Sequence, residues 1–387
     1  MEVNELKTAL VIGGTGPTGP FIVNGLIDRG FAVTVFHGGF HEVDFKQDVE
    51  HIHNDPHFRE TFEEAVGRRV WDLVIFGYGR LKIAVDVLKG HTDRLIVLGG
   101  ATGSTASPED PAWGPMGRHA NISEATTVVE TVPDRNKFAY RMAQAEAALF
   151  EAHRQGHYNA TYIGYPILYG PRQPGPHDWA IVRRVLDGRR QLILADDGIK
   201  LESRAYVENA AHATLLAVDQ PEASADRKYA VADEKIFTMR QRIEAIARHM
   251  KHEFQFIDMP YDIALPCHVL WRHSRGHRIR DTYRVRDELG YRDVVSADEA
   301  IRRSVDWLLN NRPERGGEAE MQLGDTFDYV REDRLIRDWL EWRKRLPPVD
   351  YPLLPPAHMY RHPTRPNEPW TRPAHWQPGR GERPKES

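Results

Sequence analysis

The chain has 387 residues, 41% of them hydrophobic, with 52 Lys and Arg against 56 Asp and Glu, a formal net charge of -4. That apolar mass supports a large core and excludes disorder over most of the length, and the charge is too small to create a field that holds a polyanion. No apolar run approaches the roughly 18 residues of a membrane span, so neither nucleic acid nor membrane is an expected partner.

The start, MEVNELKTALVIGG, has no basic stretch ahead of a long apolar one, so no cleaved leader is expected. Short runs rich in branched residues predict buried strands at 8–12 (TALVI), 32–36 (AVTVF), 73–76 and 95–98. Helical spacing predicts helices at 20–29, 57–66 and 136–154, the last Ala-rich and followed by a strand at 161–165. Strand and helix in alternation mean an α/β fold with a parallel sheet covered on both faces by right-handed crossovers. Further on, the single cysteine, Cys267, allows neither an internal disulfide nor a thiolate zinc site, which points to the reducing cytoplasm. Eleven of the 26 prolines fall within 347–387, which predicts an extended tail, covering a cleft or clasping a second subunit as a homodimer.

The strongest motif is Gly13-Gly14-Thr15-Gly16-Pro17-Thr18-Gly19, directly after the first strand and opening the first helix. In that position Gly13 permits a tight turn, Gly16 lets the backbone approach a pyrophosphate, and Gly19 lets helix and strand pack closely. The helix N-terminus then faces the phosphates with free N–H groups. NAD and NADP are sorted at the end of the second strand, which reads Phe36-His37-Gly38-Gly39 with no acid before Glu42 and no arginine. The choice stays open: His37 leans toward NADP, or it simply touches adenine.

GGTGPTG, the segment HIHNDP at 51–56, the helix at 136–154 and Tyr165-Pro166-Ile167-Leu168-Tyr169-Gly170-Pro171 together resemble the extended short-chain dehydrogenase/reductase family, and within it the NAD-dependent epimerase/dehydratase group. Ser203 to His212 and ELGYRDVVSADEAIRRSVDWL at 288–308 agree. The resemblance implies a Rossmann-type, doubly wound parallel sheet over 1–170 with a return segment near 205–232, a smaller substrate-binding lobe over 171–346, and the Pro-rich tail beyond. It also implies an adenine contact from Asp55 with Pro56 beside it, Phe76 and Gly77 along the ribose, and Pro166 and Ile167 flanking the nicotinamide. His51, His53 and His57 make a metal cluster by count. They are read instead as strand residues alternating toward one face around an acid already committed to adenine, so no metal site is expected.

Family members use a Tyr four residues before a Lys on one helix, with a Ser or Thr from the loop after the fifth strand; the ammonium lowers the phenol pKa so that tyrosinate takes the hydroxyl proton. Here Gly100 stands at the serine position, leaving Thr102 or Ser104 as substitutes. One register, aligned on Glu146, puts Phe138 and Met142 at the Tyr and Lys positions; sliding by two restores Tyr140 but brings Gln144 to the Lys position. Lys137 is the only lysine of this helix and precedes both. Tyr140 is the first catalytic candidate, and Tyr78, Tyr169, Arg172, His177, Trp179 and Arg204 are the substrate-side candidates. The expectation is an NAD- or NADP-dependent oxidoreductase or epimerase/dehydratase-like enzyme acting on a small polar or aromatic molecule. The alternative is a catalytically silent dinucleotide-binding regulator.

Overall fold

A computed structural model describes residues 6–100, 120–124, 137–271, 275–348 and 363–369, the side chains of 137–139 and 271 excepted. Strand β1 (Thr8–Ile12) leads through the glycine loop to α1 (Gly19–Asp28), then β2 (Ala32–His37), β3 (Glu50–His53), α2 (Arg59–Val66), β4 (Leu73–Phe76), α3 (Leu81–Val87) and β5 (Arg94–Gly100). There follow β6 (Asn121–Ile122), α4 (Lys137–Arg154), β7 (Asn159–Tyr165), β8 (Ile167–Tyr169), α5 (Trp179–Leu186), β9 (Gln191–Ala195), β10 (Arg204–Tyr206), α6 (Val207–Asp219) and β11 (Arg227–Ala230). The chain continues with α7 (Met239–His249), β12 (Gln255–Met259), β13 (Ile279–Arg280), α8 (Tyr283–Glu288), α9 (Ala297–Asn310), α10 (Glu318–Leu323) and α11 (Tyr329–Lys344).

Seven strands form one sheet in the order β3-β2-β1-β4-β5-β7-β11, and every pairing in it is parallel. The order reverses beside β1, and crevices at such a reversal, beyond the carboxyl ends of the strands, are where α/β sheets take ligands. Alternation along each strand explains the two cores. Val11, Val35 and Ile75 face one side with Ile22 and Leu26 of α1 and Ala210 and Ala213 of α6. Leu10, Ile12, Phe36 and Val74 face the other with Phe62 of α2 and Leu149 of α4. Burying each such Leu, Ile or Phe contributes about 1.5–3 kcal/mol. Helices α1 and α6 approach closely because Gly25 has no side chain: a Cβ there would run into Leu215.

The smaller elements make their own pairs, β10 with β8, β12 with β9 and β13 with β6, all parallel. Helix α7 begins at a capping box in which the Thr238 hydroxyl accepts from the Gln241 N–H, satisfying an end the helix cannot satisfy itself. Two compact units result, Met1–Ile336 and Arg337–Ser387. In the second, Trp339 and Trp342 stack with ring centres 4.9 Å apart. Most of the Pro-rich tail lies outside the described residues. Among the described residues no helix is long and apolar enough to cross a membrane.

Candidate dinucleotide site

The glycine loop is built by the sheet beneath it. The Gly13 N–H donates to the Phe36 carbonyl at 2.9 Å, Gly16 N–H to Gly13 at 3.2 Å and Gly19 N–H to Gly16 at 3.0 Å, so the loop folds over the ends of β1 and β2. Gly13 sits at φ +89°, and a Cβ there would stand 2.5 Å from Cβ of Tyr78. A Cβ on Gly19 would strike the Gly14 carbonyl oxygen, whereas one on Gly16 would meet only the Gly13 oxygen, at 3.5 Å. Gly16 therefore presents open backbone, the space a phosphate would fill. Helix α1 has Pro20 in its first turn, no side-chain cap at Thr18 and no acid in that turn, so its N-terminal N–H groups keep their partial positive charge. Thr15, Pro17 and Thr18 complete the turn, Thr18 being buried.

At the end of β2, His37 is buried, with its Nε2 2.8 Å from His51 Nδ1. Burial lowers its pKa, only partly opposed by Glu42. A sunken, neutral imidazole does not supply the exposed cation that would favour the extra phosphate of NADP, so the lean toward NADP loses its support. Asp55 accepts from the His57 N–H at 2.9 Å and contacts the His57 ring at 2.8 Å; the backbone bond, then the ring, holds its carboxyl below the usual range. Pro56 is buried against Gly79 (φ +113°), Phe76 is buried, and the Gly77 N–H donates to Ile12 at 2.9 Å. Tyr78 is exposed and meets the His57 ring edge-on at 4.8 Å.

Pro166 and Ile167, half-buried, follow β7 at the same end of the sheet. Thr102 and Ser104 lie outside the described residues, as does the Phe138 side chain. Tyr140 is half-buried on α4. It precedes Ala145 by five residues, which puts it about 140° round the helix from the buried stripe of Ala145, Leu149 and Ala152. Sequence reasoning missed a lysine that faces α4 from another element: Lys228 on β11 reaches both carboxylate oxygens of Glu146, at 2.7 and 2.8 Å. Only the β11–β7 pairing makes that neighbour, so no local spacing signalled it.

The substrate candidates separate. Arg172, at φ +64°, and Tyr78 are exposed, and His177 is half-buried. Three others are buried and engaged. Tyr169 donates to Asp233 at 2.7 Å, Trp179 donates its indole N–H to Glu320 at 2.8 Å, and Arg204 lies between Glu202, at 3.4 Å, and Asp178, at 3.7 Å. Arg242 completes this network with two bonds to Asp178, at 2.9 and 2.7 Å. Burial pushes the Asp178 carboxyl up, but Arg242 and then Arg204 outweigh it and hold the pKa down. Arg204 is thus a member of a buried ion network, not the exposed anion hook its position suggests; the carboxylates that claim it lie on β9–β10 and α5 surroundings that no motif announces.

The histidines of β3 have neighbours that their own strand does not announce. Alternation on β3 places His51 and His53 on one face, but the parallel register pairs His37 with His53, and Glu42 closes the group, with one ligand atom from each of the four within 4.8 Å of the others.

Residues 104–232 match the family described as the NAD dependent epimerase/dehydratase family. Among curated proteins, the uncharacterized y4nL of Sinorhizobium fredii is 27% identical over 169 residues, 38% of this chain and 46% of that protein. The uncharacterized YbjS of Escherichia coli is 24% identical over 199 residues, 46% of this chain and 59% of that protein. The chain spans about half the length of these relatives. A UDP-glucose 4-epimerase from Thermotoga maritima, solved with UDP-glucose, superimposes with a TM-score of 0.60 at 16% identity, over 79% of this chain and 100% of that one. A UDP-glucose 4-epimerase from Bifidobacterium longum, solved with NAD+ and UDP, gives 0.59 at 15% identity, over 79% and 99%. These structural likenesses speak to the fold, and the segment 104–232 inside that fold is similar to the NAD dependent epimerase/dehydratase family.

Proposed function

We propose that the protein is an NAD(P)-dependent oxidoreductase or epimerase/dehydratase-like enzyme working by hydride transfer on a small polar or aromatic molecule, with a non-standard proton-transfer set. The observation that carries this reading is the open backbone at Gly16 above an uncapped α1 N-terminus. A bound nicotinamide cofactor supplies the hydride chemistry. The chain's own part is to hold the pyrophosphate on the loop N–H groups of 13–19, the adenine at Asp55 and Pro56, and the nicotinamide between Pro166 and Ile167. Tyr140 is the first candidate to hold a proton, at its phenol oxygen, with Tyr78 and Arg172 exposed to meet substrate. The loss of His37 as an exposed cation favours NAD over NADP.

Thermal shift with each dinucleotide tests binding, since a ligand at 100 times its Kd adds about 2.7 kcal/mol to stability. Turnover is tested by mixing stoichiometric enzyme with sugar nucleotides and with aromatic alcohols or ketones while following nicotinamide absorbance. Tyr140→Phe should slow single-turnover hydride transfer by about 100-fold or more; an unchanged rate removes Tyr140 from the mechanism. A second reading, a dinucleotide-binding regulator without turnover, is favoured by one observation: α4 carries no lysine after Lys137. Binding without hydride transfer for any stabilising ligand would select it.

A further inference from the structure

The group at the carboxyl end of β2 has its own logic, independent of the dinucleotide reading. In a parallel pair, residues on the same face recur every second position, so β2 offers 35 and 37 where β3 offers 51 and 53. The register sets Val35 against His51 and His37 against His53, which gathers three imidazoles on one side of the sheet edge. Their rings meet edge to face, His37 with His53 at 4.7 Å and His37 with His51 at 5.1 Å. Glu42, from the loop between the two strands, turns its carboxylate toward all three: 3.2 Å to His53 Nε2, 3.4 Å to His51 Nδ1 and 3.9 Å to His37 Nε2.

We propose that His37, His51, His53 and Glu42 form a tetrahedral binding site for a divalent transition-metal ion of the zinc type. Zinc bonds to imidazole nitrogen and carboxylate oxygen run about 2.0–2.2 Å, so ligand atoms of a tetrahedral site stand about 3.3–3.6 Å apart. Four of the six separations, 2.8 Å between His37 and His51 and 3.2 to 3.9 Å to Glu42, lie around that value, and all four ligand atoms lie within 4.8 Å of one another, so binding would draw the group in. Three neutral nitrogen donors and one carboxylate are a donor set that suits zinc, nickel or cobalt and is poor for magnesium or calcium, which ask for oxygen. The carboxylate also argues against an anion as occupant, because it would stand against any phosphate held by the same imidazoles. The site is half open: His37 is buried, while the side chains of His53 and Glu42 are 55% and 58% exposed, giving the ion a path in.

Loading has one structural demand. His37 Nδ1 accepts a 3.2 Å bond from the Gly39 N–H, which places the ring proton on Nε2, between His37 and His51. Ligation through Nε2 moves that proton to Nδ1, so the Gly39 N–H must give up its acceptor. Gly39 sits at φ +75°, a freedom that lets the loop turn. The bound ion would then tie the 38–49 loop and the edge strand β3 to β2.

The test uses the full-length protein without a histidine tag, stripped with chelator and titrated with Co²⁺ as a spectroscopic probe and with Zn²⁺ by calorimetry. The expected result is one ion per chain, the visible d–d absorption of tetrahedral Co²⁺, and a shifted Gly39 amide resonance. His53→Ala and Glu42→Gln, both at exposed side chains and therefore able to fold, should each weaken uptake at least about tenfold. Absence of saturable uptake by the wild type, or uptake that both variants retain at wild-type strength, would overturn the assignment. Circular dichroism of the variants establishes that weakened uptake is not lost folding.

Discussion

Arg242 holds Asp178 through two hydrogen bonds, 2.9 and 2.7 Å, with both side chains almost fully withdrawn from solvent. Two further buried groups lean on the pair: Arg204 stands 3.7 Å from the same carboxylate, and the Arg242 guanidinium lies 4.2 Å over the Tyr169 ring. The network joins α5, β8, β10 and α7.

Removing the carboxylate leaves two buried guanidinium groups without their common partner. Asp178→Ala should cost about 3–5 kcal/mol, read from urea unfolding at pH 7. Replacing Arg242 by Met in the same chain should recover part of that loss, since the uncompensated charge goes with it. The Asp178 carboxyl is held below its ordinary pKa of about 4, so its contribution is present above that value and fades as pH falls below it. The wild type should lose stability more steeply than Asp178→Ala as pH is lowered below about 4; parallel curves would show that the pair adds nothing.

The glycine loop allows a controlled comparison. Gly13 and Gly30 both have positive φ, +89° and +79°, but a Cβ at Gly13 would stand against Tyr78 while one at Gly30 would find nothing within 4 Å. Gly30→Ala should cost only the backbone strain, about 1–2 kcal/mol, and leave dinucleotide binding intact. Gly13→Ala should cost more and, on the proposed function, abolish the thermal shift given by NAD, because the turn proposed to seat the phosphates can no longer close over Phe36.

Asp293 behaves in the opposite sense to Asp178. Burial, with Asp233 and Glu234 nearby, outweighs the bonds it accepts from the Glu234 N–H and Tyr291 and pushes its carboxyl up to about 6. Between about 4 and 6 the folded state holds more protons than the unfolded chain, so this group lowers stability as pH rises through that window. Asp293→Asn should flatten the decline and gain on the order of 1 kcal/mol at pH 7, the full shift being discounted for partial exposure. Thermal unfolding from pH 4 to 7.5 reads the effect directly.

Lys228 and Glu146 couple β11 to α4. Lys228→Met should cost about 1–3 kcal/mol by leaving the carboxylate in a partly buried place, and the double variant Lys228→Met, Glu146→Gln should cost less than the single one. A cost of the double variant equal to the sum of the two single costs would mean that the two side chains act independently.

The strands at 8–12 and 73–76 stand where the apolar runs put them, because four or five branched residues between Gly and charge can only be a buried strand in so regular an alternation. Helices were legible to within a residue or two: 20–29 is Gly19–Asp28 and 136–154 is Lys137–Arg154, while the expected start at 57 moves to Arg59 because Asp55 binds the His57 N–H and holds that turn outside the helix. The turn formed by the glycines at 13–19 was legible because their spacing is local. The burial of Arg204, Trp179 and Tyr169 was not legible, because Asp178, Glu320 and Asp233 reach them from distant parts of the chain, and burial of a charged or polar side chain is decided by such partners. The histidine group escaped for the same reason: alternation describes one strand, and the group needs the register of two.

The sheet has two rims, β3 at one side and β11 at the other. The first presents backbone donors and acceptors that could recruit a strand from a neighbouring molecule, whereas on the second the Ala230 N–H already donates to Glu124 at 2.8 Å and the Lys228 carbonyl accepts from Arg284 at 3.3 Å; each is only four residues long. Glu50, His51 and His53 guard the first rim, with Arg69 locked onto Glu50 at 2.6 Å, and Arg227 and Lys228 guard the second. Short, charged borders of this kind discourage edge-to-edge growth. The imidazoles that gather at the rim of β3 thus also keep that rim from serving as a seed for aggregation.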